Sequence, residues 1–298
     1  MTDKKDIRKK ISPSLQAKLD RLREILRGLA SVVVGVSGGV DSSLLLALAV
    51  ETLGKQNVLA VTARGFMHSA NETAAARLAA EQVDAELLEV DLANFSEDSL
   101  AKIKLNQPDR CYWCKFLIFS HLASLASQRG YAAVASGSNA DDPGDYRPGS
   151  RAEVELDIAR PLLLAGMTKR DIRDLARAMG LGMWDRPATP CLATRLPYGR
   201  ELSDAVLRRI EQGEADLAEL GLAHCRLRDH DTLARLEVPP EQLAQAFELR
   251  EKIVQTLKAR GYTYIALDME GFRSGAMNET LGKQESEDRS QESEFRSQ

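Results

Sequence analysis

The chain has 298 residues, of which 44 % are hydrophobic and 28 % charged, and its formal net charge is −4 at pH 7. That is the balance of a soluble globular chain long enough for one large domain or two smaller ones, with no general attraction to nucleic acid or membrane surfaces. Four cysteines, a polar start ("MTDKKDIRKK") in place of a signal peptide, and no apolar run of membrane-spanning length predict a cytoplasmic protein whose cysteines are thiols or metal ligands.

An amphipathic helix carrying Leu15, Leu19, Leu22, Ile25, Leu26 and Leu29 opens the pattern. The β-branched run Val32, Val33, Val34 and Val36 then reads as a buried parallel strand, and the leucine-rich segment from Leu44 to Ala49 as a buried helix. Strand-like runs recur at Val58 to Thr62, Glu86 to Val90 and Ala132 to Ser136, with helix-like segments between them. That alternation predicts an α/β fold, a parallel sheet with helices on both faces. After Pro187-Ala188-Thr189-Pro190 the pattern changes. A helix from about Ser203 to Leu220 leads to strands near Cys225 to Arg228 and Leu233 to Val238, a helix through about Ala259 and a strand at Tyr262 to Leu267. The expected organisation is a nucleotide domain over 1–190, a small α+β substrate and oligomerisation domain over 191–281, and a polar, disordered tail over 282–298.

The turn "VSGGVDSS" joins the first strand to the buried helix. At such a junction the first helical N–H groups have no internal partner and the helix dipole adds partial positive charge, so the turn is an anion site. Gly38 and Gly39 let backbone approach a phosphate, and the hydroxyls of Ser37, Ser42 and Ser43 can donate to it. The bland alternative is a tight turn with an Asp or Ser cap. The order Ser-Gly-Gly-Val-Asp-Ser lacks the Gly-Lys-Ser/Thr ending of a P-loop and the spacing of a dinucleotide fingerprint.

"DRCYWCKF" sets Cys111 and Cys114 two residues apart, and "DRPATPCLATRLPYG" places Cys191 at the domain junction. A CxxC pair alone fits a redox pair, half a zinc site or chance. A structural zinc wants a fourth protein ligand, for which His121 is the nearest histidine, whereas a cubane iron-sulfur cluster can take three thiolates and leave one iron open. Cys225, in the alternating stretch "HCRLRD", reads as a buried small hydrophobe.

The Ser-Gly-Gly turn resembles the loop of the PP-loop ATP pyrophosphatases, which cleave ATP between the α and β phosphates. "VVVGVSGGVDSSLLL", "RCYWCK", "ASGSNADDPGDYRPG", "DRPATPCLATRLPYG", "RLRDHDTLARLEVP" and "GYTYIALDMEGFRSGAMNE" together resemble the LarE family of ATP-dependent sulfur transferases, in order from about Leu15 to Leu281. That resemblance implies conversion of the carboxylates of a pyridinium biscarboxylate mononucleotide to thiocarboxylates for the nickel-pincer cofactor of lactate racemase. It also implies a homo-oligomer. Two chemistries exist in the family. In one, a cysteine matching Cys191 gives up its own sulfur. In the other, three cysteines hold a 4Fe-4S cluster that carries an added sulfide. Having Cys111, Cys114 and Cys191, this sequence resembles the cluster type, with sulfide or another sulfur donor as co-substrate.

Under that resemblance Val36, Ser37, Gly38, Gly39, Asp41 and Ser42 bind the pyrophosphate of ATP, with Mg2+ screening the charge. Ala63, Arg64, Gly137, Ser138 and Asn139 lie at strand C-terminal ends, where nucleotides bind in open α/β sheets. Asp141, Asp142, Tyr146 and Arg147 line the following loop, which also reads as a solvated polar turn. Arg195, Arg226 and Arg228 offer guanidinium forks to the substrate's phosphate and carboxylates, and Glu214 matches a family position beside them. The alternation at Arg226 and Arg228 equally suits a solvated strand face. Trp113 either stacks on a ring or covers the cluster. A tRNA-thiolating relative shares the ATP loop and three cysteines but normally carries a basic arm that this acidic chain lacks. An ammonia-fed synthetase has no use for three cysteines, and an ATP-binding sensor predicts no pyrophosphate release.

Overall fold

The computed structural model describes residues 11–142, 148–187 and 190–273. The expected contacts of Tyr146 and Arg147 and the tail at 282–298 lie outside the described residues. The chain divides after Cys191 into two compact units.

In the first unit, helix α1 (Pro13–Leu29) is started by Ser12, whose hydroxyl accepts from Leu15 N, with proline at the first helical position. Strand β1 (Val32–Gly35) leads to α2 (Val40–Leu53), followed by β2 (Val58–Arg64), α3 (Ala70–Gln82), β3 (Glu86–Asp91) and α4 (Glu97–Lys104). Helix α5 (Arg110–Arg129) ends on Gly130 in the left-handed conformation and is followed by β4 (Ala133–Ala135). Three helices complete the unit, α6 (Gly149–Glu155), α7 (Pro161–Leu164) and α8 (Lys169–Met179). The four strands are parallel in the order β3-β2-β1-β4.

Successive residues of a strand point to opposite faces, and each face has its own core. Val32, Val34, Val58 and Ala60 pack with Leu19, Leu22 and Leu26 of α1, Leu44 to Ala49 of α2 and Ile172 and Leu175 of α8. Val33, Leu59, Val61 and Val134 pack instead with Phe119, Leu122 and Ala126 of α5. This is the α/β PP-loop fold expected from the sequence. Helix α2 is apolar on nearly every side because it is buried on nearly every side, Leu44, Leu45, Leu46 and Leu48 being fully enclosed at roughly 2 kcal/mol each. Among the described residues no helix is long and apolar enough to cross a membrane.

The second unit has α9 (Asp204–Glu219), strands β5 (Arg226–His230) and β6 (Leu233–Glu237), helices α10 (Leu243–Glu248) and α11 (Arg250–Ala259), and β7 (Tyr264–Leu267). Its sheet runs β5-β6-β7, the first pair antiparallel and the second parallel. The helix expected to run through Ala259 is two, interrupted at Leu249, whose ψ of 4° leaves the helical range. The last strand begins two residues later than expected. Tyr262 is buried and donates its hydroxyl to the fully buried Asp229 at 2.8 Å, a carboxylate that Arg200 and Arg209 also grip.

Candidate functional site

The order β3-β2-β1-β4 reverses direction between β1 and β4, and crevices for ligands open at the carboxyl ends of strands at such a point. The turn after β1 and the loop after β4 flank it. Val36 continues the strand by donating to Val61 O at 2.8 Å. Ser37 N and Ser37 Oγ both meet Ser42 Oγ, at 3.1 and 3.3 Å, and Ser42 Oγ donates to Gly39 O at 3.3 Å. The Ser42 hydroxyl, expected as a phosphate donor, here holds the turn in shape.

Gly38 has φ +76°, and a Cβ there would lie 2.7 Å from both Ala75 Cβ and Glu72 O of α3. The turn therefore requires glycine at 38 for backbone conformation and for space. No side chain caps the start of α2 at Gly39, which leaves its first N–H groups facing the crevice end of β1. Asp41 Oδ2 accepts from Lys169 Nζ at 2.5 Å, while Asp41 Oδ1 is buried without a hydrogen-bond partner, as are Ser43 Oγ and Ser136 Oγ. Buried polar atoms normally find partners, so these three mark a place where a polar ligand belongs. The donor set, a carboxylate oxygen with hydroxyls beside orphan helix N–H groups, fits a magnesium-bound phosphate.

The loop after β4 presses on the same helix end. A Cβ on Gly137 would sit 2.8 Å from Ser42 N. Asn139 N donates to Asp142 Oδ2 and Asp141 N to Asn139 Oδ1, both at 3.0 Å, and Asp141 Oδ2 accepts from Lys169 N at 2.7 Å. Asn139 and Asp142 are buried, so this segment is a folded turn rather than a solvated one. At the end of β2, Ala63 is half-buried and Arg64 exposed, the latter paired with Asp91 at 2.8 Å.

Cys111, Cys114 and Cys191 are half-buried thiols, the first two on the opening turns of α5. Burial pushes the Cys114 thiol up to about 12, helped by the neighbouring Cys191 and Cys111 and opposed by Arg110 and Lys115. The three sulfurs therefore share one electrostatic neighbourhood. Among the described residues no group of three or more His, Cys, Asp or Glu side chains is gathered so as to hold a single metal ion. The buried Arg110 donates to Cys111 Sγ at 3.7 Å. Trp113 donates its ring N–H to Asp109 at 2.7 Å and carries Lys102 Nζ 3.5 Å from its ring centroid, so one face of the indole is already occupied. His121 is exposed and stacks edge-on with Phe95.

The second unit collects the predicted arginines. Arg195 makes a two-pronged pair with Glu214 at 2.8 and 3.0 Å, and Glu214 also accepts from Leu227 N at 2.9 Å. Arg228 makes another with Glu237 at 2.9 and 2.8 Å and donates to Thr194 O. Arg226 lies 3.9 Å from the Phe272 ring centroid, and its pKa is lowered to about 10 by burial and then by the charges of Arg195 and Arg228. A half-buried guanidinium beside two others has the chemistry to receive an anion. The solvated strand face that alternation equally allowed is not what forms, since Arg228 is buried and Arg226 half-buried. Cys225 is buried as expected, its thiol pushed up to about 12 by burial.

Sequence reasoning missed one residue of the crevice, Lys169, and a half-buried histidine in the loop after β2. Lys169, the first residue of α8, stands 128 positions from the carboxylate it meets. His68, in the loop after β2, has its pKa lowered by burial, and its Nδ1 lacks a hydrogen-bond partner. A helix-start signature, Thr168 with Asp171 in a capping box, marks where Lys169 lies but not what it faces.

The NAD synthase family model matches residues 15–110. An uncharacterized protein of Synechocystis is 36 % identical over 271 residues, 90 % of this chain and 100 % of that one. The pyridinium-3,5-bisthiocarboxylic acid mononucleotide synthase of Lactiplantibacillus plantarum is 35 % identical over 270 residues, 91 % of this chain and 97 % of that enzyme. The NH(3)-dependent NAD(+) synthetase of Methanosarcina acetivorans is 24 % identical over 221 residues, 72 % of this chain.

Proposed function

The chain belongs to the LarE family, and on that premise we propose that it is an ATP-dependent sulfur transferase acting on the carboxylates of a pyridinium mononucleotide. The observation that carries this reading is the 35 % identity with the plantarum synthase over 91 % of this chain, which spans both units. In the proposed reaction a substrate carboxylate oxygen attacks the α phosphate of ATP, the bond to the β phosphate breaks, and pyrophosphate leaves. A sulfide then attacks the acyl carbon, the bond to the AMP oxygen breaks, and a thiocarboxylate remains.

Residues of each unit have a task in that sequence. The uncapped start of α2 and the Gly38 and Gly39 backbone receive the departing pyrophosphate, and Lys169 adds the cation that the turn itself lacks. Asp41 Oδ1 and Ser43 are placed to meet Mg2+ or its waters. The folded turn Gly137–Asp142 and the end of β2 form the walls for the nucleoside. Arg226, together with Arg195 paired to Glu214 and Arg228 paired to Glu237, takes the phosphate and carboxylate groups of the substrate.

Cys111, Cys114 and Cys191 are the proposed ligands of a 4Fe-4S cluster. What supports this is the three-cysteine pattern itself and the nearness of the sulfurs, since the charges of Cys191 and Cys111 act on Cys114. Held by these three thiolates, such a cluster would supply the sulfide that is transferred. The NAD synthase match raises a second reading, an ammonia-fed amidation. That family match ends at Arg110, immediately before Cys111, and the longer similarity to the Methanosarcina NAD(+) synthetase is 24 % identity against 35 % for the plantarum synthase. Product analysis tests the proposal. With Mg-ATP and the biscarboxylate mononucleotide the reading expects AMP and pyrophosphate, and Asp41→Ala abolishes both. Release of ADP and phosphate, or an amide formed from ammonia, overturns it.

A further inference from the structure

The buried carboxylate of Glu153 has no part in the roles assigned so far. Glu153 lies on α6 with 1 % of its surface exposed, and it joins two places that the sequence separates. On one side Ser138 Oγ donates to it, at 2.8 Å from Oε2 and 3.0 Å from Oε1. On the other side Lys115 Nζ donates to Oε1 at 2.7 Å. Ser138 follows Gly137, whose close approach to Ser42 N ties this loop to the first turn of α2, and Ser138 O is held by Leu163 N at 3.1 Å. Lys115 follows Cys114, and its charge acts on that sulfur.

Helix α6 is clamped to the CxxC turns at further points. A Cβ on Gly149 would lie 2.6 Å from Lys115 Cδ and 3.3 Å from Cys111 O. Arg151 lies 3.7 Å from the Tyr112 ring centroid, and Tyr112 donates its hydroxyl to Glu155 at 2.6 Å. These contacts fix the helix, and the hydrogen bonds of Glu153 reach from the CxxC turns to the nucleotide loop. A buried carboxylate in such a place is retained by its hydrogen bonds and its cation, and it holds both partners at a set distance.

We propose that Glu153 is a positioning residue that couples the nucleotide loop, through Ser138, to the sulfur-bearing turn of α5, through Lys115. The inference rests on the ATP and sulfur roles proposed above. Nucleotide bound at the loop then stiffens the CxxC turns, and the activated carboxylate forms where sulfur can reach it. Without the bridge, adenylylation continues but the acyl adenylate meets water more often than sulfide, and carboxylate and AMP return.

Backbone hydrogen exchange on the full-length protein, with and without Mg-ATP, tests this without relying on turnover. In the wild type Mg-ATP slows exchange in the loop at 137–142 and in the first turns of α5, by roughly tenfold where a charge-assisted hydrogen bond carries the coupling. In Glu153→Gln the loop still responds to Mg-ATP and the α5 turns do not. Lys115→Met, which leaves the Ser138–Glu153 hydrogen bonds in place, gives the same loss and serves if Glu153→Gln does not fold. A second readout is thiocarboxylate formed per AMP released, which falls in both variants while pyrophosphate release persists. If the α5 turns respond to Mg-ATP in the variants as in the wild type, the coupling role is overturned. If the loop of the wild type ignores Mg-ATP, the nucleotide reading itself falls, and this inference with it.

Discussion

Lys169 Nζ lies 2.5 Å from Asp41 Oδ2, so the first residue of α8 delivers a cation to a phosphate-type turn that contains no lysine of its own. The pair is partly exposed and contributes little to stability, but its position at the uncapped start of α2 matters for a transferring phosphate. Lys169→Met is expected to leave the melting temperature nearly unchanged and to lower the rate of AMP formation by about a hundredfold. A steady-state assay with a parallel thermal melt checks this; normal AMP formation removes Lys169 from the site.

Gly38 and Gly39 are expected to part company. Gly38→Ala forces a side chain into positive φ and into the backbone of α3, and should cost about 1–3 kcal/mol of stability as well as nucleotide binding. At Gly39 an added Cβ meets only Ser37 Oγ, at 3.5 Å, so Gly39→Ala should fold with close to wild-type stability. Denaturant unfolding of the two variants decides the matter.

The arginine cluster predicts a split between folding and binding. Glu214→Ala leaves the buried Arg195 without its two-pronged partner and is expected to cost about 3 kcal/mol. Arg226 is opposed by two like charges, so Arg226→Gln should leave stability unchanged or raise it while weakening the substrate's binding by about tenfold or more. Equilibrium unfolding and substrate titration, run on both variants, read the two effects separately.

Much of the fold was legible because its signals are local. A valine run, a glycine turn and a leucine run, three to eight residues each, dictate β1, the turn and α2, and alternation placed the arginines of β5 on one side. What alternation cannot say is whether another layer covers that side. Arg228 is buried because Glu237 on β6 and the Thr194 carbonyl await it, and neither is visible from the strand's own sequence. Lys169 escaped notice for a related reason. A lone lysine at a helix start is the commonest of surface features, and only the chain's return to Asp41 gives it a role.

Cys225 gives a prediction in pH. Its pKa is raised by burial from an ordinary 9.0 to about 12, so the folded state keeps a proton that the unfolded chain loses. The contribution is fully present below pH 9 and is lost as pH rises toward 12, with a loss of roughly 1 kcal/mol by pH 10. Unfolding titrations of wild type and Cys225→Ala between pH 8 and 10 are therefore expected to converge as pH rises. Parallel curves contradict the assignment.

The central claim is sulfur transfer without consumption of the chain. Protein isolated anaerobically with iron and sulfide is incubated with Mg-ATP, sulfide and the pyridinium biscarboxylate mononucleotide. Mass spectrometry then follows the small molecule and the polypeptide together over many turnovers. The account predicts that carboxylate oxygen is replaced by sulfur in the small molecule, with AMP and pyrophosphate released and Cys191 intact. A single turnover that converts Cys191 to dehydroalanine, or no sulfur in the product at all, would contradict it.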